Sequence, residues 1–438
     1  MPVSLARAVA FDILKEVEQR QSFAVDLLHG RATDELAPAD RALTMQIVMG
    51  VLRWQSALDS EIMRASEKKL DLEVRLALRI ALFQLRFLDR IPQRAAVNES
   101  VELVKRARKR SAAPFVNAVL RKLQTSAGSF QETGDLAQRS AHPPWLVERW
   151  TTQYDPARAA VICQFDQQVP ETALRLPWEL HEEVEGGLLA EGVELAPGNL
   201  LANARRVVSG DVTRTAAFRE GRVAIQDEGS QLVAALVGKG QHILDCCAAP
   251  GGKTSAIAER NPAAHVTAVE LHEHRLRLMR KLVRASNVEF VLGDSTILPG
   301  TNTFDRILTD VPCSGTGTLA RNPEIKWRLT PEDLRDLQAR QVAILTSALD
   351  RLDKGGRLIY STCSLEKEEN QDVVEGVLAA RHPHGLRLIS CADELRSLKA
   401  SGDLVWPQSD SLIEGPYLRT LPGVHPCDGF FAAIIQRA

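Results

Sequence analysis

Two kinds of apolar periodicity predict an α/β chain whose C-terminal half is built on a mostly parallel sheet, preceded by a small α+β module and an all-α N-terminal domain. From residue 4 to about 123, apolar residues recur at three- and four-residue steps; after residue 226, short apolar strands alternate with amphipathic helices. At 438 residues the chain exceeds what one hydrophobic core usually serves, so several folded units are expected.

In the N-terminal stretch Val9, Ile13 and Val17 recur at i+4, and "RLALRIALFQLRFL" keeps a helical apolar stripe. Its last segment concentrates Lys105, Arg106, Arg108, Lys109, Arg110, Arg121 and Lys122. Such a run is either a solvated helix face or a phosphate-contacting patch. Residues 124–142 are small and polar and read as a connection; "PPWLVERW" then restarts a helix. Between 170 and 225, "TALRL" and "RVAIQ" flank "LHEEVEGGLLAEGVEL", which suggests a small α+β module. Beyond it "HILDCCA", "HVTAVE", "VEFVLGD", "FDRILTD" and "GRLIYSTC" read as strands separated by helical patterns, except between the third and fourth. Crossover connections of this kind make a mostly parallel sheet with helices on both faces. "DGFFAAIIQ" supplies one more strand, expected to be antiparallel at an edge. The resulting boundaries are 1–125 (all-α), 126–165 (helical connector), 166–228 (small α+β) and 229–438 (parallel-sheet domain).

Composition excludes several classes of function. No stretch approaches the roughly 18 consecutive apolar residues of a membrane span, and "MPVSLARAVAFDILKEVEQR" lacks the features expected of a signal peptide. The seven cysteines, at 163, 246, 247, 313, 363, 391 and 427, are odd in number and never spaced as CxxC. Neither a disulfide framework nor a metal site is expected, and a reducing cytoplasm is the natural setting. With a formal net charge of −2, any nucleic-acid binding must come from a local basic surface.

"LDCCAAPGGKT" places Pro250, Gly251 and Gly252 between a strand and a helix opening near Lys253, where backbone can approach a ligand and helix N–H groups are unpaired. Glu270 closes the next strand, where a Rossmann-like sheet sets an acid against ribose hydroxyls, and Asp294 ends the third. Each carboxylate alone is more readily a cap or loop residue; together with the loop, in register, they favour a nucleoside-bearing ligand. A phosphate-binding P-loop is the competing reading. It fails because Cys247 stands where its first glycine is required.

"DVPCSGTG" and "YSTCSLEKEEN" each follow an apolar strand and end at the edge of the sheet where ligands bind, so Cys313 and Cys363 are expected to face one crevice. Cys163, Cys246, Cys391 and Cys427 read as small apolar fillers. Cys313 and Cys363 do not, because Pro, Ser, Thr and Gly in turn-forming sequence surround them.

"LDCCAAPGGKT", "DVPCSGTGTLARNPEIKWR" and "YSTCSLEKEEN" resemble the motifs of the RNA cytosine-5 methyltransferases. "PFVNAVLRKL", in a helical domain similar to the antitermination factor NusB, "HPPWLVERW" and "YLRTLPGVHPCDGFF" extend the likeness over the whole chain, toward members acting on small-subunit ribosomal RNA. The resemblance implies an S-adenosylmethionine-dependent methyltransferase domain, a NusB-like RNA-binding domain and an RRM-like small module. It also implies methyl transfer to C5 of a specific cytosine in 16S rRNA through a covalent bond between cysteine sulfur and C6. Cys363 would be the nucleophile and Cys313 would assist proton removal or product release. Asp310 would contact the cytosine edge or the methionine end of the cofactor, and Lys253 would hold the pyrimidine. Backbone groups of Cys247, Ala248, Ala249, Pro250, Gly251, Gly252 and Lys253, with Glu270, Asp294 and Asp310, would bind S-adenosylmethionine. Relatives often carry Asp where this chain has Glu270, a longer carboxylate that still reaches two hydroxyls. The implied partner is 16S rRNA or an early small-subunit particle, met by a monomer away from membranes. Transfer RNA or 23S rRNA is an alternative substrate, and an RNA-binding regulator without catalysis is the alternative of another class.

Overall fold

The computed structural model describes residues 3–20, 22–125, 134–177, 180–298, 300–381 and 385–438. The chain divides into two compact units, Met1–Val169 with Leu319–Arg328, and Pro170–Thr318 with Leu329–Ala438. Part of the expected connection at 124–142, residues 126–133, lies outside the described residues.

The first unit is helical. Leu72–Phe87 buries Val74, Leu76, Ala77, Leu78, Ile80, Ala81 and Leu82. A helix apolar on nearly every side belongs at the centre of a bundle. Helices Leu5–Arg20, Pro38–Arg53, Gln55–Ala65, Gln93–Arg106 and Ala113–Thr125 pack around it. Gly50 permits the closest approach, since a Cβ there would fall 1.9 Å from the Phe83 ring. Arg79 crosses this core with its charge matched, Nε donating to Asp59 at 2.7 Å and Nη1 to Glu18 at 2.5 Å. In the basic run, Lys105 pairs with Glu102, Arg106 with Asp12 and Lys109 with Asp71. Helices Pro144–Tyr154 and Pro156–Asp166 continue the unit, joined at Asp155, whose carboxylate accepts from Arg158 N.

A distant segment completes it. Leu319–Arg328 follows the Cys313 loop in sequence yet packs with the helices. Lys326 Nζ donates to the carbonyls of Arg53 and Ala141 at 2.9 and 3.0 Å, and Trp327 Nε1 to that of Leu52 at 2.7 Å. Arg328 reaches the carbonyls of Val17 and Ser22, both at 2.7 Å. Helix C-terminal carbonyls lack intrahelical partners and favour cations, which suits Lys326 on Arg53 O and Arg328 on Val17 O. Glu324 does the converse, accepting from Ala24 N at the start of Ala24–Leu28.

The second unit opens with a four-stranded antiparallel sheet in the order β2-β3-β1-β4, from β1 (Ala173–Arg175), β2 (Glu194–Pro197), β3 (Ala204–Ser209) and β4 (Ala224–Ile225). Helix His181–Ala190 contributes Val184 and Leu188 to the small core, with Leu174 and Val193.

A nine-stranded sheet follows, comprising β5 (His242–Asp245), β6 (His265–Glu270), β7 (Val288–Leu292), β8 (Phe304–Asp310), β9 (Leu352–Thr362), β10 (Leu386–Ile389), β11 (Ile413–Glu414), β12 (Tyr417–Arg419) and β13 (Phe431–Arg437). Strands β7-β6-β5-β8-β9 are mutually parallel. Successive residues serve opposite faces. Ile243, Leu308, Ile359 and Ile434 join one core with helices Glu228–Leu236, Gly252–Arg260 and Cys391–Ala400. Leu244, Ile307, Leu358 and Ile435 join another with Pro331–Leu349 and Gln371–Ala380. Helices therefore cover both faces, as the continuous apolar strands require. The last strand departs from the expected edge position. β13 is antiparallel but central, paired with β9, β12 and β10. Its run of Phe431, Ala432, Ala433, Ile434 and Ile435 is buried throughout, and an edge strand would leave one side of that run to solvent.

Candidate active site

The strand order reverses between β5 and β8, so their carboxyl ends flank the topological switch point at which open α/β sheets bind ligands. Asp245 ends β5 and Asp310 ends β8. The loop from Cys246 leads to helix Gly252–Arg260. Gly251 sits there at φ +107°, and a Cβ would meet Val283 at 2.5 Å, so both conformation and space demand glycine. Cys246 N donates to Leu308 O and Ala248 N to Val269 O, which pins the loop to both neighbouring strands.

Asp245 is buried. Its Oδ2 accepts from Thr254 Oγ1 at 2.7 Å, while Oδ1 has no hydrogen-bond partner among the described residues. Burial, opposed by the Thr254 hydrogen bond, pushes this carboxyl up from 3.8 to about 6. A carboxyl whose folded pKa is raised contributes stability fully present below its unfolded pKa and lost as pH rises through the folded one. Relative to Asp245→Asn, the parent should lose up to ~3 kcal/mol between roughly pH 4 and pH 7. Urea unfolding of both proteins across that window checks this, and a gap that does not widen with pH defeats it.

Glu270, at the end of β6, is buried; its Oε1 accepts from His272 N at 2.9 Å and Oε2 takes no hydrogen bond among the described residues. Asp294 follows β7 and is exposed. Its Oδ1 accepts from Thr296 N and Oγ1 at 2.9 and 2.7 Å, and the Thr296 N–H holds the carboxyl below its ordinary range. It caps a short turn as well as standing at the strand end.

Lys253, Asp310, Cys313 and Cys363 converge. Lys253 Nζ donates to Asp310 Oδ2 at 2.8 Å and lies 5.3 Å from the centre of the Phe430 ring. Burial alone would lower the Lys253 ammonium, but the charge and hydrogen bond of Asp310, with a smaller share from Cys363, leave it raised. Ser361 Oγ holds the other Asp310 oxygen at 2.7 Å. The sulfurs of Cys313 and Cys363 stand 3.4 Å apart, both half-buried. The hydrogen bond to Cys363, then burial, pushes the Cys313 thiol well above the ordinary range. Two thiols so close give up one proton far more readily than both, so the pair can present one thiolate beside one thiol, with an ammonium in electrostatic reach.

Reasoning from sequence singled out neither Asp245, Ser361 nor Phe430. Asp245 and Ser361 stand inside the quoted motifs, one as the last residue of a strand and the other two residues before Cys363, which is the signal that was available. Phe430 lies in the quoted stretch "YLRTLPGVHPCDGFF", but nothing in the sequence ties its ring to Lys253.

A doubly wound sheet with a glycine loop and strand-end carboxylates around its switch point defines a Rossmann-like domain for a nucleoside-bearing ligand. Residues 234–436 match the family model described as 16S rRNA methyltransferase RsmB/F, and residues 4–125 match the NusB family. The probable ribosomal RNA small subunit methyltransferase B of Bacillus subtilis is 33% identical over 100% of both chains. The ribosomal RNA small subunit methyltransferase B of Vibrio cholerae is 32% identical, covering 93% of this chain and 92% of that one. The crystal structure of PH0851 superposes with a TM-score of 0.82 at 24% identity, covering 100% of this chain and 99% of that one, a likeness of fold. The chain belongs to the 16S rRNA methyltransferase RsmB/F family. It is an rRNA methyltransferase, and membership implies S-adenosylmethionine as methyl donor. The residues present fit that group: Glu270 Oε2 and the orphaned Asp245 Oδ1 are acceptors at adjacent strand ends, beside a loop that glycine keeps open. Among the described residues no helix is long and apolar enough to cross a membrane, and no cluster suits a metal ion.

Proposed function

We propose that this protein methylates C5 of one specific cytosine in 16S rRNA, through a transient bond between Cys363 sulfur and C6 of the base. The 3.4 Å approach of two unbridged thiols beside the Lys253–Asp310 pair carries the reading. Methylation of an exocyclic amine needs no covalent adduct, and "DVPC" stands where such enzymes carry [ND]PP[YF]. Cytosine C5 is a weak nucleophile until a thiolate adds to C6 and places electron density on it. S-adenosylmethionine, held by the Cys247–Lys253 backbone with Glu270, Asp294 and Asp310, supplies an electrophilic methyl group on a sulfonium. Lys253, fixed by Asp310 and Phe430, orients the pyrimidine edge. Cys313 takes part in removing the C5 proton, after which the bond from Cys363 sulfur to C6 breaks, the thiolate leaves and aromaticity returns. The base must leave its stack to enter the crevice. Cys363 and Cys313 are assigned their separate roles by resemblance, and a monomer acting on rRNA or an early subunit particle is the corresponding assembly.

The test incubates the protein with methyl-labelled S-adenosylmethionine and unmodified 16S rRNA, then digests the RNA to nucleosides. Label is expected in 5-methylcytidine at one site. Label in N4-methylcytidine, or only in transfer RNA or 23S rRNA when these compete, sinks the reading.

A further inference from the structure

Both cysteine loops are tied to one buried carboxylate that the reaction itself does not use. Glu369 sits in the acidic run "EKEEN", where sequence suggests a solvated charge, yet its side chain is fully buried. Oε1 accepts from Ser314 N at 2.8 Å and from Gln341 Nε2 at 2.9 Å. Oε2 accepts from the Ser314 and Ser364 hydroxyls, both at 2.5 Å. An ionised carboxylate has about four acceptor positions, and these donors fill them. Ser314 adjoins Cys313 and Ser364 adjoins Cys363. Gln341, buried on helix Pro331–Leu349, also donates to Pro312 O at 2.9 Å, gripping the other side of Cys313. Asn370 does the same around Cys363, accepting from Thr362 Oγ1 at 2.5 Å and donating to Ser364 O at 2.9 Å. Tyr360 Oη, donating to Glu369 O at 2.5 Å, anchors the hub to β9.

We propose that Glu369 is a positioning residue that sets the separation and orientation of the two thiols by holding Ser314 and Ser364 against one another. The proposal rests on the reading of Cys313 and Cys363 as reacting groups. Reacting geometry is sensitive to displacements of about 1 Å, and no covalent bond fixes the distance between these loops. A charge-assisted hub with every acceptor filled is stiff, whereas one left partly satisfied is costly and loose.

In the full chain, Glu369→Ala should lower kcat about a hundredfold while KM for rRNA and Kd for S-adenosylmethionine stay within about threefold. Glu369→Gln should recover at least about tenfold of that loss, because the amide oxygen can still accept from Ser314 N and Gln341 while its NH2 donates to the serine hydroxyls. Iodoacetamide labelling without RNA, read peptide by peptide, should show the relative reactivity of Cys313 and Cys363 altered in Glu369→Ala. Equal loss in the Ala and Gln variants, an unchanged kcat, or a loss that follows S-adenosylmethionine binding and melting temperature overturns the proposal. Should Glu369→Ala not fold, the combined Ser314→Ala and Ser364→Ala variant decides: a kcat about tenfold lower at unchanged KM supports the role, and an unchanged kcat removes it. The labelling is independent of which atom is methylated. An altered thiol pattern in a protein whose parent makes no 5-methylcytidine supports the positioning role while the reading of the reaction fails.

Discussion

Replacing Cys363 with alanine is expected to abolish methyl transfer, by at least ~10⁴-fold, whereas Cys313→Ala is expected to accumulate a protein–RNA species that survives a denaturing gel. The asymmetry follows from the order of events. Addition to C6 needs only the Cys363 sulfur, so the Cys313→Ala protein forms the adduct; completing the reaction needs the C5 proton removed, and that protein lacks the nearby sulfur that takes part. The neighbouring thiol is also timed by its partner. Its proton is held chiefly by the hydrogen bond to Cys363, then by burial. Once the Cys363 sulfur is bonded to carbon it no longer carries the charge that opposes a second ionisation 3.4 Å away, and Cys313 becomes easier to deprotonate. On the proposed route, the reaction would thus release its own base after the nucleophile has been consumed. Mass spectrometry of the gel-shifted band should find the RNA fragment on the peptide containing Cys363. Cys313→Ala that turns over at the parent rate without a shifted band, or Cys363→Ala that keeps activity, removes the mechanism; a shifted band in Cys363→Ala alone exchanges the two roles.

Much of this site is legible in the sequence because short-range pattern and chemistry coincide there. An apolar run followed by Pro, Ser or Gly and then cysteine fixes both a strand and the residue at its end, and parallel strands must end on one edge. The helical unit is legible for the same local reason, since "RLALRIALFQLRFL" repeats apolar residues at three- and four-residue steps. What is not legible depends on contacts between distant residues. Glu369 looks solvated because three acids and a lysine surround it in sequence, and only the fold shows that serines from two loops supply its donors. β13 has the composition of any apolar strand, so its central place follows from partners on β10 and β9 that lie 45 to 79 residues away. Asp294 stands two residues beyond the end of β7, and composition could not reveal that one of its oxygens already serves Thr296.

Leu319–Arg328 is the least legible feature and the source of the second large effect. The segment runs on from the Cys313 motif without any break in composition, yet its partners lie on the helical unit. Lys326 is its fixed point, fully buried with its ammonium on the carbonyls of Arg53 and Ala141 and in electrostatic reach of Asp166. Replacing it by methionine keeps the apolar stem but takes one donor from each of the Arg53 and Ala141 carbonyls. Leaving a buried acceptor without its donor costs ~1–3 kcal/mol, so Lys326→Met should destabilise the protein by about 2 kcal/mol near pH 8. The loss should depend on pH with a definite sign. Burial lowers the Lys326 ammonium from 10.5 to about 7, outweighing the opposing pull of Asp166. A lysine with a depressed folded pKa contributes stability that is present above its unfolded pKa and lost as pH falls through the folded one. The gap between parent and Lys326→Met should therefore be wider at pH 9 than at pH 6. Because Leu319 lies only six residues beyond Cys313, cleavage by a protease within 318–330 should quicken in the variant as the segment detaches. Urea titrations at the two pH values read the sign, and a gap that is flat or that narrows toward pH 9 would show that Lys326 does not hold this segment by the buried bonds described.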